Sequence, residues 1–135
     1  MKKFLSLICF LAVAWLCNAA YAGTVEDVLT KSMFPATSST YAAFSDVKGT
    51  SGAVYAGETA TTYEAIQLRT TGSTSGIIST ASGGKVRKVV VEWNTNSNSS
   101  RKLQIFGKNT PYTATSELYN SFTQGDNIGI IGTTQ

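Results

Sequence analysis

The sequence predicts an all-β domain, a sandwich or barrel of short antiparallel strands led by one short helix. Three observations carry this. Short apolar runs recur between Ser/Thr/Gly clusters at near-regular spacing, as in all-β sandwiches and barrels. Only one segment, "TVEDVLTKSMF" (24–34), shows helical spacing, and Pro35 stops it. Nothing repeats at a fixed period, and no linker divides the chain.

The helix expectation rests on Thr24 as cap, Asp27 three residues on, and Val25, Val28, Leu29 and Met33 near one face. Strands are expected at "TYAAFSD" (40–46), "GAVYAG" (52–57), "EAIQLRT" (64–70) and "GIISTA" (76–81). In the third, Ile66 and Leu68 form the inward set. "KVRKVVVEWN" (85–94) and "RKLQIFGK" (101–108) read as an antiparallel hairpin closed by the polar "TNSNSS". The segment 111–126 is irregular, and "NIGIIG" (127–132) is a last strand.

Residues two apart share a strand face. In "SGGKVRKVVVEWN" one face therefore carries Lys85, Arg87, Val89, Val91 and Trp93, and the other Val86, Lys88, Val90 and Glu92. Val89, Val91 and Trp93 are expected to be buried in a central strand. The three cations divide between faces and read as edge protection, not as a nucleic-acid patch.

Residues 1–22 read as a secretory signal peptide. Lys2 and Lys3 precede the apolar "FLSLICFLAVAWLC", and Ala20-Tyr21-Ala22 is an A-x-A site. The apolar run is too short for a membrane span. The alternative is a lipoprotein signal acylated at Cys17, although Leu16 precedes it. The domain is then 23–135, in the secreted or extracytoplasmic space. Both cysteines, Cys9 and Cys17, fall in the leader, so no disulfide or thiolate is expected in the domain. Without Lys2 and Lys3 the formal charge of +3 falls to +1, which does not steer the chain to nucleic acid.

The chain has no His. With no Cys expected in the mature domain either, Ser-His and Cys-His nucleophilic systems and His/Cys zinc sites are excluded. The carboxylates Asp46, Glu58, Glu64, Glu92, Glu117 and Asp126 are scattered, and no local spacing suggests a glycosidase pair. Calcium at Asp46 or Asp126 would lack the D-x-[DN]-x-[DN]-G loop. The expectation is no enzyme, no metal and no cofactor. Arg69 is expected to pack its stem on the sheet and pair with Glu64 or Glu92.

The motifs "AVYAG", "AIQLRTTGSTSGIISTASGGKVRKVVVEWN" and "LQIFGKNTPYTATSELY…TQGDNIG", in this order, resemble an uncharacterised domain of secreted Bacteroidetes-type proteins. The resemblance spans about residues 25–132. It implies an antiparallel jelly-roll β-sandwich, similar to galactose-binding-like and carbohydrate-binding modules, and carries over no functional residues. It also implies further strands beyond "IIGTTQ", so the domain is expected to be incomplete at its C-terminal edge.

The functional expectation is a secreted, non-catalytic accessory module for carbohydrate or cell-surface polymer. Tyr112 and Tyr119 pair an apolar ring with a polar tip, beside the amides of Asn109 and Asn120. These four are the candidate carbohydrate-binding residues, with loop aromatics plugging the sandwich end as the competing reading. The alternative is an assembly module, whose sheet is completed by a partner chain or a second copy at an open edge.

Overall fold

The computed structural model describes residues 23–35, 40–62, 64–69 and 72–133. The expected leader, with Cys9 and Cys17, lies outside the described residues. The fold is all-β and antiparallel. Its strands are β1 (Ala42–Lys48), β2 (Val54–Thr62), β3 (Ala65–Gln67), β4 (Gly76–Ala81), β5 (Lys102–Gly107) and β6 (Asp126–Gly132).

The longest strand, β2, organises the larger sheet. β1 pairs with residues 54–59 of β2 and β4 with residues 54–58, both antiparallel. β3 returns onto the end of β2, with Ala60 opposite Gln67 and Thr62 opposite Ala65. The β2–β3 turn places Glu64 at φ 61° and pairs it with Lys31. β1 carries a bulge between Phe44 and Val47, where Asp46 takes φ 60°. Asp tolerates this left-handed geometry better than most residues. β5 and β6 form a separate two-stranded sheet, with Lys102 opposite Gly132 and Gly107 opposite Asp126.

The core covers both faces of the larger sheet: Phe44 shares a face with Gly57 and Thr59, and Ile78 lies with Ala56 and Ala60 on the other. Phe34, Phe44, Ala53, Ala60, Ile78 and Tyr112 are its buried apolar members, with Thr59 fully buried beside them. The Phe34 and Phe44 rings meet at 4.4 Å and 45°. Gly57 makes this packing feasible. A β-carbon there would collide with the Gly76 carbonyl of β4 and press on the Phe44 ring.

The helix expected at 24–34 does not form. Residues 23–30 are irregular, and a single 3-10 turn spans Lys31–Met33. Two causes are visible. Val25 and Val28 are exposed, so the apolar stripe has nothing to pack against; a helix this short depends on such packing. Asp27 is instead drawn to the β1–β2 turn. Its carboxylate accepts the Ser51 N–H (2.7 Å), the Ser51 hydroxyl (2.6 Å) and the Tyr55 hydroxyl (2.8 Å). These bonds, the Ser51 hydroxyl foremost, hold Asp27 below the ordinary carboxylate pKa. Burial, reinforced by Asp27, pushes the Tyr55 phenol up to about 12.

The strand expected at 85–94 does not form either. Val89 is 44% exposed and Val91 and Trp93 are only half-buried. β5 pairs with β6 instead of closing a hairpin on 85–94. The linker shows why. Asn94 Oδ1 accepts the Asn96 N–H and Asn98 Oδ1 accepts the Ser100 N–H, each at 2.9 Å. The Thr133 hydroxyl then ties the Asn98 and Ser99 carbonyls to the end of β6. Local side-chain bonds of this kind compete with a regular ladder. Among the described residues, no helix is long and apolar enough to cross a membrane.

Gly57→Ala should destabilise the domain by about 2–3 kcal/mol through overpacking. Urea unfolding should show a lower midpoint at unchanged slope. A variant as stable as the parent would refute the close approach at Gly57.

Candidate functional site

A polar cluster gathers beside the middle of β2. Tyr41 immediately precedes β1, Glu58 lies on β2, Arg69 follows β3 and Ser75 precedes β4. Pairing of these strands brings them together. Arg69 Nη2 donates to Glu58 Oε1 at 2.5 Å, and its guanidinium carbon sits 4.2 Å from the Tyr41 ring centroid. Ser75, almost fully buried, accepts the Arg69 backbone N–H on its hydroxyl at 3.0 Å. Its carbonyl accepts the Tyr119 hydroxyl.

Tyr119 reaches this cluster from the 3-10 turn Thr115–Tyr119. Glu117 builds that turn. Its Oε1 accepts the Thr113 N–H (2.6 Å), the Thr113 hydroxyl (2.7 Å) and the Ala114 N–H (3.1 Å), while Oε2 pairs with Lys108. The Lys108 bond, followed by the two from Thr113, lowers the Glu117 pKa to about 2.

Two polar atoms of the cluster, the Tyr41 hydroxyl and Arg69 Nε, are buried without hydrogen-bond partners. Such groups are uncommon in folded proteins. Burial raises the Tyr41 and Tyr119 phenols, and the Arg69 charge pulls against it at both. The phenols therefore stay protonated at neutral pH and can donate. Tyr119 keeps 42% of its surface exposed, and the Arg69 side chain 38%. The site thus offers a guanidinium, a carboxylate and two aromatic rings close together. Among the described residues, no group of three or more His, Cys, Asp or Glu is placed to hold a metal ion.

The four residues singled out from the sequence fall in different settings. Tyr112 is buried at 9% exposure. Its N–H donates to the Ser79 carbonyl (3.2 Å), its hydroxyl to the Gln124 carbonyl (2.6 Å), and Lys108 Nζ lies 4.3 Å from its ring centroid. It fastens the 112–124 loop to β4. Asn109 is exposed. Asn120 is exposed too, but its Oδ1 accepts the Phe122 N–H at 2.9 Å and shapes the next turn. Tyr119 alone of the four contributes to the Arg69 cluster.

Arg69 pairs with Glu58, not with Glu64 or Glu92 as expected; Glu64 pairs with Lys31. Sequence reading missed Tyr41, Glu58 and Ser75. Their partners lie on other strands, so no local spacing marks them. The one usable signal is an arginine directly after the strand-like "AIQL". No family model, curated protein or solved structure matches the chain.

The depressed Glu117 pKa carries a pH dependence. A carboxyl with a lower pKa when folded binds fewer protons in the native state than in the unfolded one, so its stabilisation is lost as pH falls. It is fully present above the ordinary value of 4.5 and disappears as pH approaches about 2. In acid titrations followed by circular dichroism, Glu117→Gln should lose stability less steeply than the parent across that window. Identical slopes would contradict the bonding described at Glu117.

Proposed function

We propose that the chain is a secreted, non-catalytic binding module that takes a neutral saccharide of a glycan or cell-surface polymer at the Tyr41–Glu58–Arg69–Tyr119 cluster. One observation carries the reading: two buried, unpartnered polar atoms lie beside an exposed tyrosine. Sugar rings combine apolar C–H faces with many hydroxyls. The exposed Tyr119 ring suits the first, and tyrosine serves both ends because its body is apolar and its tip polar. The Arg69–Glu58 pair suits the second, offering donors and acceptors side by side. Because that pair is neutral overall, it favours an uncharged sugar over an acidic one.

The signal-like residues 1–22 support secretion. The absence of His and the scattered carboxylates support binding without chemistry. The resemblance to galactose-binding-like modules supports a jelly-roll-like arrangement, with the β1–β4 sheet as one layer and β5–β6 as part of the other. This last step is an analogy of fold.

Glycan-array screening followed by calorimetry tests the proposal. Tyr119→Ala should weaken retention of a bound saccharide by about tenfold or more, since truncating an aromatic anchor of a binding site costs about 2 kcal/mol. Tyr119→Phe keeps the ring and should retain most of the affinity. No retained saccharide, or equal retention by Tyr119→Ala, would rule this site out.

A further inference from the structure

Residues 85–93 are a strand-forming sequence without a ladder. They hold four valines and a tryptophan, residue types enriched in strands. Among the described residues, no hydrogen bond joins them to any other segment. Val86, Val89 and Val90 are 69%, 44% and 64% exposed. The Trp93 indole N–H is buried without an acceptor. An exposed apolar run with open backbone donors and acceptors is a template for strand addition.

The order of residues says what would add to it. Suppose this segment pairs antiparallel with the same segment of a second copy, with the two-fold axis at Val90. Lys88 then stands opposite Glu92 of the other copy, and Glu92 opposite its Lys88. Val89 stands opposite Val91, Val90 opposite Val90, and Arg87 opposite Trp93. Every opposed pair from 87 to 93 is favourable: two ion pairs, valine on valine, and a cation against an indole. Each repeats across the axis, as an isologous interface requires. Moving the axis one residue either way breaks this pattern. An axis at Val89 sets Lys88 against Val90, and an axis at Val91 sets Lys88 against Asn94. Lys88, which would blunt this edge toward other strands, is neutralised only in the Val90 register.

We propose that residues 85–93 mediate self-association through antiparallel strand pairing centred on Val90. The surface carries its own complementary charge pattern, so its occupant is a second copy of this chain. The interface is independent of the Arg69 cluster, which uses none of these residues.

Two experiments on the full chain test it. The first is charge exchange, read by analytical ultracentrifugation. Lys88→Glu alone and Glu92→Lys alone each set like charges opposite one another twice per dimer. Each should weaken dimerisation on the order of tenfold, because two favourable opposed pairs become two repulsive ones. The K88E/E92K double variant restores both pairs and should dimerise like the parent. Mixing the two single variants should give a heterodimer tighter than either homodimer. The second is cysteine trapping in a Cys9→Ser, Cys17→Ser background. Val90→Cys should form an intermolecular disulfide readily, because opposed antiparallel residues lie about 4.5–5.5 Å apart between α-carbons. Glu92→Cys, opposite Lys88, should form it poorly. A parent that stays monomeric, a double variant no better than the singles, or equal trapping at 90 and 92 would overturn the proposal. Pairing of 85–93 onto β5 of its own chain would appear as the first of these outcomes.

Discussion

The larger sheet and the cluster beside it depend on how closely three strands approach at Gly57. β2 is the shared strand of the larger sheet, and β4 and the Phe44 ring of β1 both crowd its middle. The missing side chain at Gly57 lets that contact close, and one residue further along, Glu58 emerges beside Arg69. The core and the candidate site are thus consequences of one local constraint. Around it the buried apolar set is small, which is the usual condition of short domains. Polar ties supplement it: Asp27 holds the N-terminal segment on the β1–β2 turn, and Glu117 and Tyr112 hold the loop after β5.

The two sheets differ in how completely their strands are covered. In the larger one β2 has neighbours along its length. In the smaller one two strands stand by themselves, with Ile128 and Ile130 exposed. A lone two-stranded ribbon is marginal in water. The unpaired 85–93 segment lies in the chain between the two sheets. The region of weakest coverage therefore coincides with the region of strongest β propensity, and that coincidence favours association there over elsewhere on the molecule.

Much of the fold was legible because strand periodicity is a local property. β4 spans the expected residues 76–81, and β5 and β6 lie within one residue of the expected limits. The pattern "GAVYAG" marks only the first part of β2, which runs on to Thr62 because the polar "ETATT" extension is held by pairing with β1 and β3 rather than by its own pattern. The failures are equally physical. Val25, Val28, Leu29 and Met33 sit at helical spacing, but the bonds to Asp27 and the lack of a packing surface outweigh it. Val89, Val91 and Trp93 alternate as a core strand should, yet asparagine-centred turns divert the chain before a hairpin closes. At the candidate site, Tyr119 was visible as a loop aromatic. Tyr41, Glu58 and Ser75 were not, because only strand pairing brings them to Arg69.

In the proposed pairing β2 anchors a folded sheet while residues 85–93 stay uncommitted until a second copy meets them. Amide hydrogen exchange at two protein concentrations tests this most directly. The β2 amides should be strongly protected at both. Those of residues 86–93 should exchange rapidly in dilute protein and gain protection as concentration rises. Protection at 86–93 that is already high in dilute protein, or that never responds to concentration, would contradict this pairing.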